Sequence, residues 1–105
     1  MGLFRRKPRP GTPRQADSND VADLVAFAES RKGIEAYVEP KTAFIETTVV
    51  LVAHDGESIR RRCDDPAALG KRLGVPVYDI HVVGYPARYR EYNRRMKELG
   101  KQIDG

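Results

Sequence analysis

At 105 residues, with 40% hydrophobic and 32% charged side chains and a formal net charge of +4, the chain has the make-up of one small soluble-type domain. No apolar run approaches the ~18 residues of a transmembrane helix, and Met1-Gly2-Leu3-Phe4-Arg5-Arg6 has neither a signal-peptide core nor a Ser or Thr at position 6 for myristoylation. The single cysteine, Cys63, has no intramolecular disulfide partner, so a reducing, cytoplasmic setting is expected.

Residues 1–16 carry Arg5, Arg6, Lys7, Arg9 and Arg14 without an acid, and they are interrupted by Pro8, Pro10, Gly11 and Pro13. So little apolar surface does not offset the entropy of ordering, and a disordered basic tail is expected ahead of a single domain over residues 17–105. Residues 17–58 hold nine acids against three bases, and residues 59–105 hold eleven bases against six acids. Unless folding interleaves the two blocks, the surface should be dipolar.

Asp17-Ser18-Asn19-Asp20 supplies N-cap candidates for a helix over 19–32, with Val21, Leu24, Val25, Phe27 and Ala28 at helical spacing and Gly33 as its terminator. A short strand follows over 34–39, ending at Pro40, and the clearest strand lies in 43–53. Its second half, Val49-Val50-Leu51-Val52-Ala53, is apolar at every position. Such a strand is either central and covered on both faces, or it offers one face to a partner. Asp55-Gly56 marks a hairpin into a third strand over 57–63. Asp65-Pro66 starts a short helix that Gly74 ends, and Val75 to Val83 reads as a fourth strand. The expected order is α-β-β-β-α-β-α, an α+β two-layer sandwich with a mainly antiparallel sheet.

The last segment carries the most suggestive chemistry. Tyr85, Tyr89, Tyr92, Met96, Leu99 and Ile103 recur at intervals of three and four and form one narrow stripe, the seam of a packed helix starting near Pro86. Base-stacking platforms need exposed rings, so this stripe reads first as core. Arg90, Arg94, Lys97 and Lys101 fall at about 120–180° from the seam, on the outer face. They are a solvated surface or a grip for phosphates or an acidic protein. Arg88 and Arg95 flank the seam, and Glu91 is placed to pair with Arg95.

Elsewhere, strand alternation puts Arg60 and Arg62 on one face of the third strand, a two-arginine comb suited to an anion, and requires Arg61 to escape or find an acid. Asp79 and His81 would share a face of the fourth strand, the geometry of a base and its orienting carboxylate, with Tyr78 beside them, but no local motif marks a nucleophile. Metal spacing, a phosphate-binding loop and a dinucleotide fingerprint are missing from the sequence, so no cofactor is expected. Cys63, next to Asp64 and Asp65, reads as structural.

Val38-Glu39-Pro40-Lys41-Thr42, Glu46-Thr47-Thr48-Val49-Val50-Leu51-Val52-Ala53, Asp55-Gly56-Glu57 and Arg60-Arg61-Arg62 form one group of segments. Together with Val75-Pro76-Val77-Tyr78-Asp79 and Val83-Gly84-Tyr85-Pro86-Ala87-Arg88, they resemble a family of small actinobacterial proteins of unknown function, over roughly residues 18–96. Such proteins are sometimes labelled oxidoreductases by automatic transfer. The resemblance implies a cytoplasmic bacterial protein and brings no catalytic residues with it. No redox cysteine pair or cofactor loop in the sequence supports that label.

Two functional expectations follow. One is a non-enzymatic accessory protein docking on nucleic acid or ribonucleoprotein through the tail (Arg5, Arg6, Lys7, Arg9), the ridge Arg90/Arg94/Lys97/Lys101, and Arg60 with Arg62. The other is a protein-interaction or self-association module using the apolar strand 49–53 or the acidic region. A small enzyme built around Asp79 and His81 ranks third.

Overall fold

A computed structural model describes residues 18–104, with side-chain positions over 19–100. The expected tail, with Arg5, Arg6, Lys7 and Arg9, and the side chains of Lys101 and Ile103 lie outside the described residues. The elements in chain order are α1 (Ser18–Ser30), β1 (Glu35–Glu39), β2 (Thr48–Val52), β3 (Ser58–Arg62), α2 (Pro66–Leu73), β4 (Val77–Asp79), α3 (Ile80–Val83) and α4 (Ala87–Asp104). The α+β class and the expected order hold, with α3 a single helical turn between the last strand and the last helix.

The sheet runs β3-β2-β1-β4. β1 pairs antiparallel with β2, β2 antiparallel with β3, and β1 parallel with β4. Alternation then sorts the side chains. Ala36, Leu51 and Ile59 line up across three strands on the first face. There they join Leu24 and Phe27 of α1, Leu69 of α2, and Cys63 in the principal core. Tyr37, Val50 and Val52 occupy the second face, packed with Tyr78, Ile80, Tyr85 and Tyr89.

β2 is buried at every position and sits between two strands. Its continuous apolar run is therefore explained by cover on both faces. Residues 49–53 are buried, so this strand is the covered, central one of the two alternatives.

Local signals account for most of the boundaries. The Asp65 carboxylate accepts from the Ala68 N–H at 3.1 Å, Pro66 follows at the first helical position, and Gly74 closes α2 in the left-handed region at φ 67°. The fourth strand is shorter than its β-branched composition predicts. Asp79 ends it by capping α3, its carboxylate accepting from the His81 N–H at 2.7 Å. The Gly84 N–H then donates to the Ile80 carbonyl at 2.8 Å and closes the turn. A capping acid beside a strand paired on one side only overrides the propensity of Ile80, Val82 and Val83. Val82 is left 81% exposed.

Candidate functional site

α4 is built in two halves with different surroundings. At its root the Pro86 carbonyl accepts from the Tyr89 and Arg90 N–H groups, so Pro86 sits just before the first turn. The Tyr85 and Tyr89 rings stack at 4.9 Å between centroids, against the second face of the sheet. The Tyr85 hydroxyl donates to Glu39, and Arg60 donates to the Tyr89 hydroxyl at 3.2 Å. Arg88 donates from Nε to the Ala53 carbonyl at 2.9 Å and from Nη2 to Glu35 at 2.6 Å. Gly56, at φ 96°, lies so close to the helix that a Cβ there would overlap the Arg88 carbonyl and come within 2.7 Å of the Tyr92 Cβ. The tyrosines therefore pack as their spacing predicts.

The seam does not continue. Met96 is 44% exposed and Leu99 47% exposed, although both lie on the stripe that begins with Tyr89. Length explains the departure. Five-residue strands span about 17 Å and four strands stand about 15 Å across, whereas the 18 residues of α4 extend about 27 Å. The helix outruns the sheet in either direction, which leaves Met96 and Leu99 half-exposed.

The outer basic ridge starts in the root turn and runs into the distal half. Arg90, Arg94 and Lys97 are exposed and have no hydrogen-bond or ionic partner among the described residues. Arg95 does not form the expected pair with Glu91. Its guanidinium lies 5.9 Å from the Tyr92 ring centroid instead.

The other arginines are mostly committed. Arg31 pairs with Glu57 at 2.7 Å, Arg60 with Glu39 at 2.8 Å, Arg61 with Asp23 at 3.1 Å and Arg88 with Glu35 at 2.6 Å. Three of these bridges join the acidic segment 17–58 to the basic segment 59–105, so folding interleaves the two blocks at these points. Arg61 takes the second route its position allowed, an acid on α1. Arg60 and Arg62 share the second face as alternation requires. Arg60, however, spends Nε and Nη2 on both oxygens of Glu39. Arg62 is half-buried and its Nε is enclosed without a hydrogen-bond partner.

The paired glutamates are strongly held. Burial acts to raise the pKa of Glu39, but hydrogen bonds from Arg60 and Tyr85 outweigh it and keep the carboxyl below the ordinary range. Glu35 behaves alike, with burial opposed and overcome by Arg88 and Tyr37. A carboxylate so stabilised in its charged form is a poor proton acceptor near neutrality. The hydrogen bond to Glu39 in turn raises Arg60 further above its ordinary value.

Asp79 and His81 do not form a base–orienter couple. They stand two residues apart around a cap, Asp79 binding the His81 backbone rather than its ring. Tyr78 turns toward Tyr37, ring centroids 5.4 Å apart. Cys63 is buried in the principal core, and burial pushes its thiol up, consistent with a packing role. Among the described residues no group of His, Cys, Asp and Glu could hold a metal ion, and no helix is long and apolar enough to cross a membrane.

The network of Glu35, Glu39, Tyr85, Tyr89 and Arg88 was not singled out from sequence. A signal for it existed: Glu35, Tyr37 and Glu39 alternate along β1, so two acids and a tyrosine had to share one face. Comparison with protein-family models, curated proteins and solved structures returns no match.

Proposed function

We propose that the chain is a non-enzymatic cytoplasmic accessory protein that docks on the phosphate backbone of nucleic acid, alone or in a ribonucleoprotein, through the outer face of α4. One observation carries the reading. Arg31, Arg60, Arg61 and Arg88 are each tied to an acid, whereas Arg90, Arg94 and Lys97 stand together with no partner among the described residues. Their spacing of four and three places them one turn apart on the helix face, within reach of neighbouring phosphates. Lys101 continues the sequence pattern, and Arg5, Arg6, Lys7 and Arg9 supply further positive charge. Arg60 and Arg62 contribute less to this reading, because Arg60 is occupied by Glu39 and both lie on the sheet.

Anisotropy with a labelled DNA duplex tests the proposal. Affinity should fall steeply between ~50 and ~200 mM salt, with a slope of about −0.9 per phosphate neutralised. Arg90→Gln, Arg94→Gln and Lys97→Gln together should weaken binding and shallow the slope by about 2–3. Salt-independent binding, or an unchanged slope in the triple variant, would overturn it.

A second reading is favoured by Met96 and Leu99, exposed side by side on the same half-helix. It makes distal α4 a contact for a protein or a second copy. Nuclease-resistant association lost on Met96→Ser with Leu99→Ser would support it over the first.

A further inference from the structure

The second face of the sheet holds a groove of about 390 Å³, lined by Glu39, Pro40, Thr42, Ile45, Thr48, Arg60, Ile80 and His81. That volume falls in the range of small-molecule sites, and its mixture of an apolar wall with a few fixed polar groups is their usual make-up. Ile45, Ile80 and Pro40 supply the apolar wall. The polar groups at the wall are mostly donors. Arg60 commits Nε and Nη2 to Glu39 and Tyr89, and its Nη1 has no partner among the described residues. Thr42 Oγ1 accepts from the Phe44 and Ile45 N–H groups at 3.2 and 3.0 Å, which leaves its own O–H to donate elsewhere. The His81 ring has no partner among the described residues, its backbone N–H alone being taken up by Asp79.

Among the described residues the one charged acceptor on the wall, Glu39, is largely taken up. Glu39 already receives Arg60 Nε, Arg60 Nη2 and the Tyr85 hydroxyl. Two residues along β3 and on the same face, Arg62 adds a second guanidinium with no acid paired to it among the described residues. Donors in excess of acceptors and a local surplus of positive charge select a ligand that accepts and is anionic. We infer that this groove binds a small organic carboxylate with a branched aliphatic body. The carboxylate meets Arg60 Nη1 and the Thr42 hydroxyl, and the hydrocarbon lies against Ile45 and Ile80. Glu39 and Tyr89 hold Arg60 in place, and Tyr85 holds Glu39.

The site is independent of the α4 ridge, and the test separates them. Amide chemical shifts of the intact chain are followed while 4-methylpentanoate is added, in parallel with the uncharged isostere 4-methylpentanamide. Saturable shifts at Thr42, Ile45, Thr48, Ile80 and His81 are expected, with the amide on the order of tenfold weaker for want of the charge-assisted bond. Two variants complete the test. Ile45→Trp fills the groove from an exposed position, and Thr42→Val deletes one donor together with the acceptor of the Phe44 and Ile45 N–H groups. The first should abolish the shifts and the second should weaken binding severalfold. Shifts that do not saturate, that are equal for acid and amide, that gather at Arg90, Arg94 and Lys97, or that survive Ile45→Trp would overturn the inference.

Discussion

Arg88, from the first turn of α4, meets Glu35 at the start of β1 across 53 residues of chain, Nη2 to Oε1 at 2.6 Å. The same guanidinium donates from Nε to the Ala53 carbonyl. One side chain thus fastens the last helix both to a central strand and to the end of its neighbour. Arg88→Ala should cost about 1–3 kcal/mol in urea unfolding, the range for charge-assisted hydrogen bonds and the partners they leave unsatisfied. Arg88→Lys should recover only part of this, since an ammonium lacks the planar fork that serves two acceptors at once. Full stability in Arg88→Ala would show that the helix is held by the tyrosines alone.

Two glycines make opposite predictions. Gly56→Ala places a methyl against the Arg88 carbonyl and the Tyr92 Cβ at a positive φ, and should destabilise by about 2 kcal/mol or more while speeding amide exchange along α4. Gly100→Ala meets nothing within 4 Å and replaces a poor helix former. It should stabilise by up to about 1 kcal/mol. Unfolding midpoints of both variants against the parent provide the check.

The two halves of α4 can be separated by truncation. Tyr89→Ala removes a ring stacked on Tyr85 and packed on the sheet, and should cost about 2–4 kcal/mol. Met96→Ser and Leu99→Ser should each stay within about 0.5 kcal/mol, as at ordinary surface sites. A large loss from either serine variant would mean that the distal stripe is packed.

Stability should fall toward both pH extremes. The pKa values of Glu35 and Glu39 are held below the ordinary 4.5 in the folded chain, so the unfolded chain binds protons first as pH drops. Their contribution is present above 4.5 and is lost as pH falls through the folded values. Tyr37 and Tyr85 are raised above 10.0, chiefly by burial and then by their glutamate partners. Their contribution is present below 10.0 and is lost as pH rises through the folded values. Glu35→Gln with Glu39→Gln should flatten the acid limb of a urea-midpoint titration, and Tyr37→Phe the alkaline limb.

Much of this architecture was legible residue by residue. Asp65-Pro66 and Gly74 delimit α2 because caps act locally, and the apolar run in β2 marks a strand with no polar face, central or open to a partner, between which the sheet order decides. What escaped was relational. Helical period placed Met96 and Leu99 on the same stripe as Tyr89, but period carries no information on how far the opposing sheet extends. Arg60 looked unpaired because its acceptor, Glu39, lies 21 residues away on a strand that β2 separates from it. The short β4 was obscured for a different reason: Val82 and Val83 favour a strand, and a single Asp79 carboxylate decided otherwise.

The overhang of α4 also has a kinetic and cooperative meaning. A free peptide of eight or so residues would scarcely be helical in water, since the first turn is costly to nucleate and segments below ~12–15 residues remain marginal. The turns bearing Arg94 and Lys97 need no nucleus of their own. They propagate from one already formed at Pro86 and anchored by Arg88 and Tyr89. The basic ridge therefore borrows its order from the sheet, and loosening the root would melt the ridge without touching any of its charges.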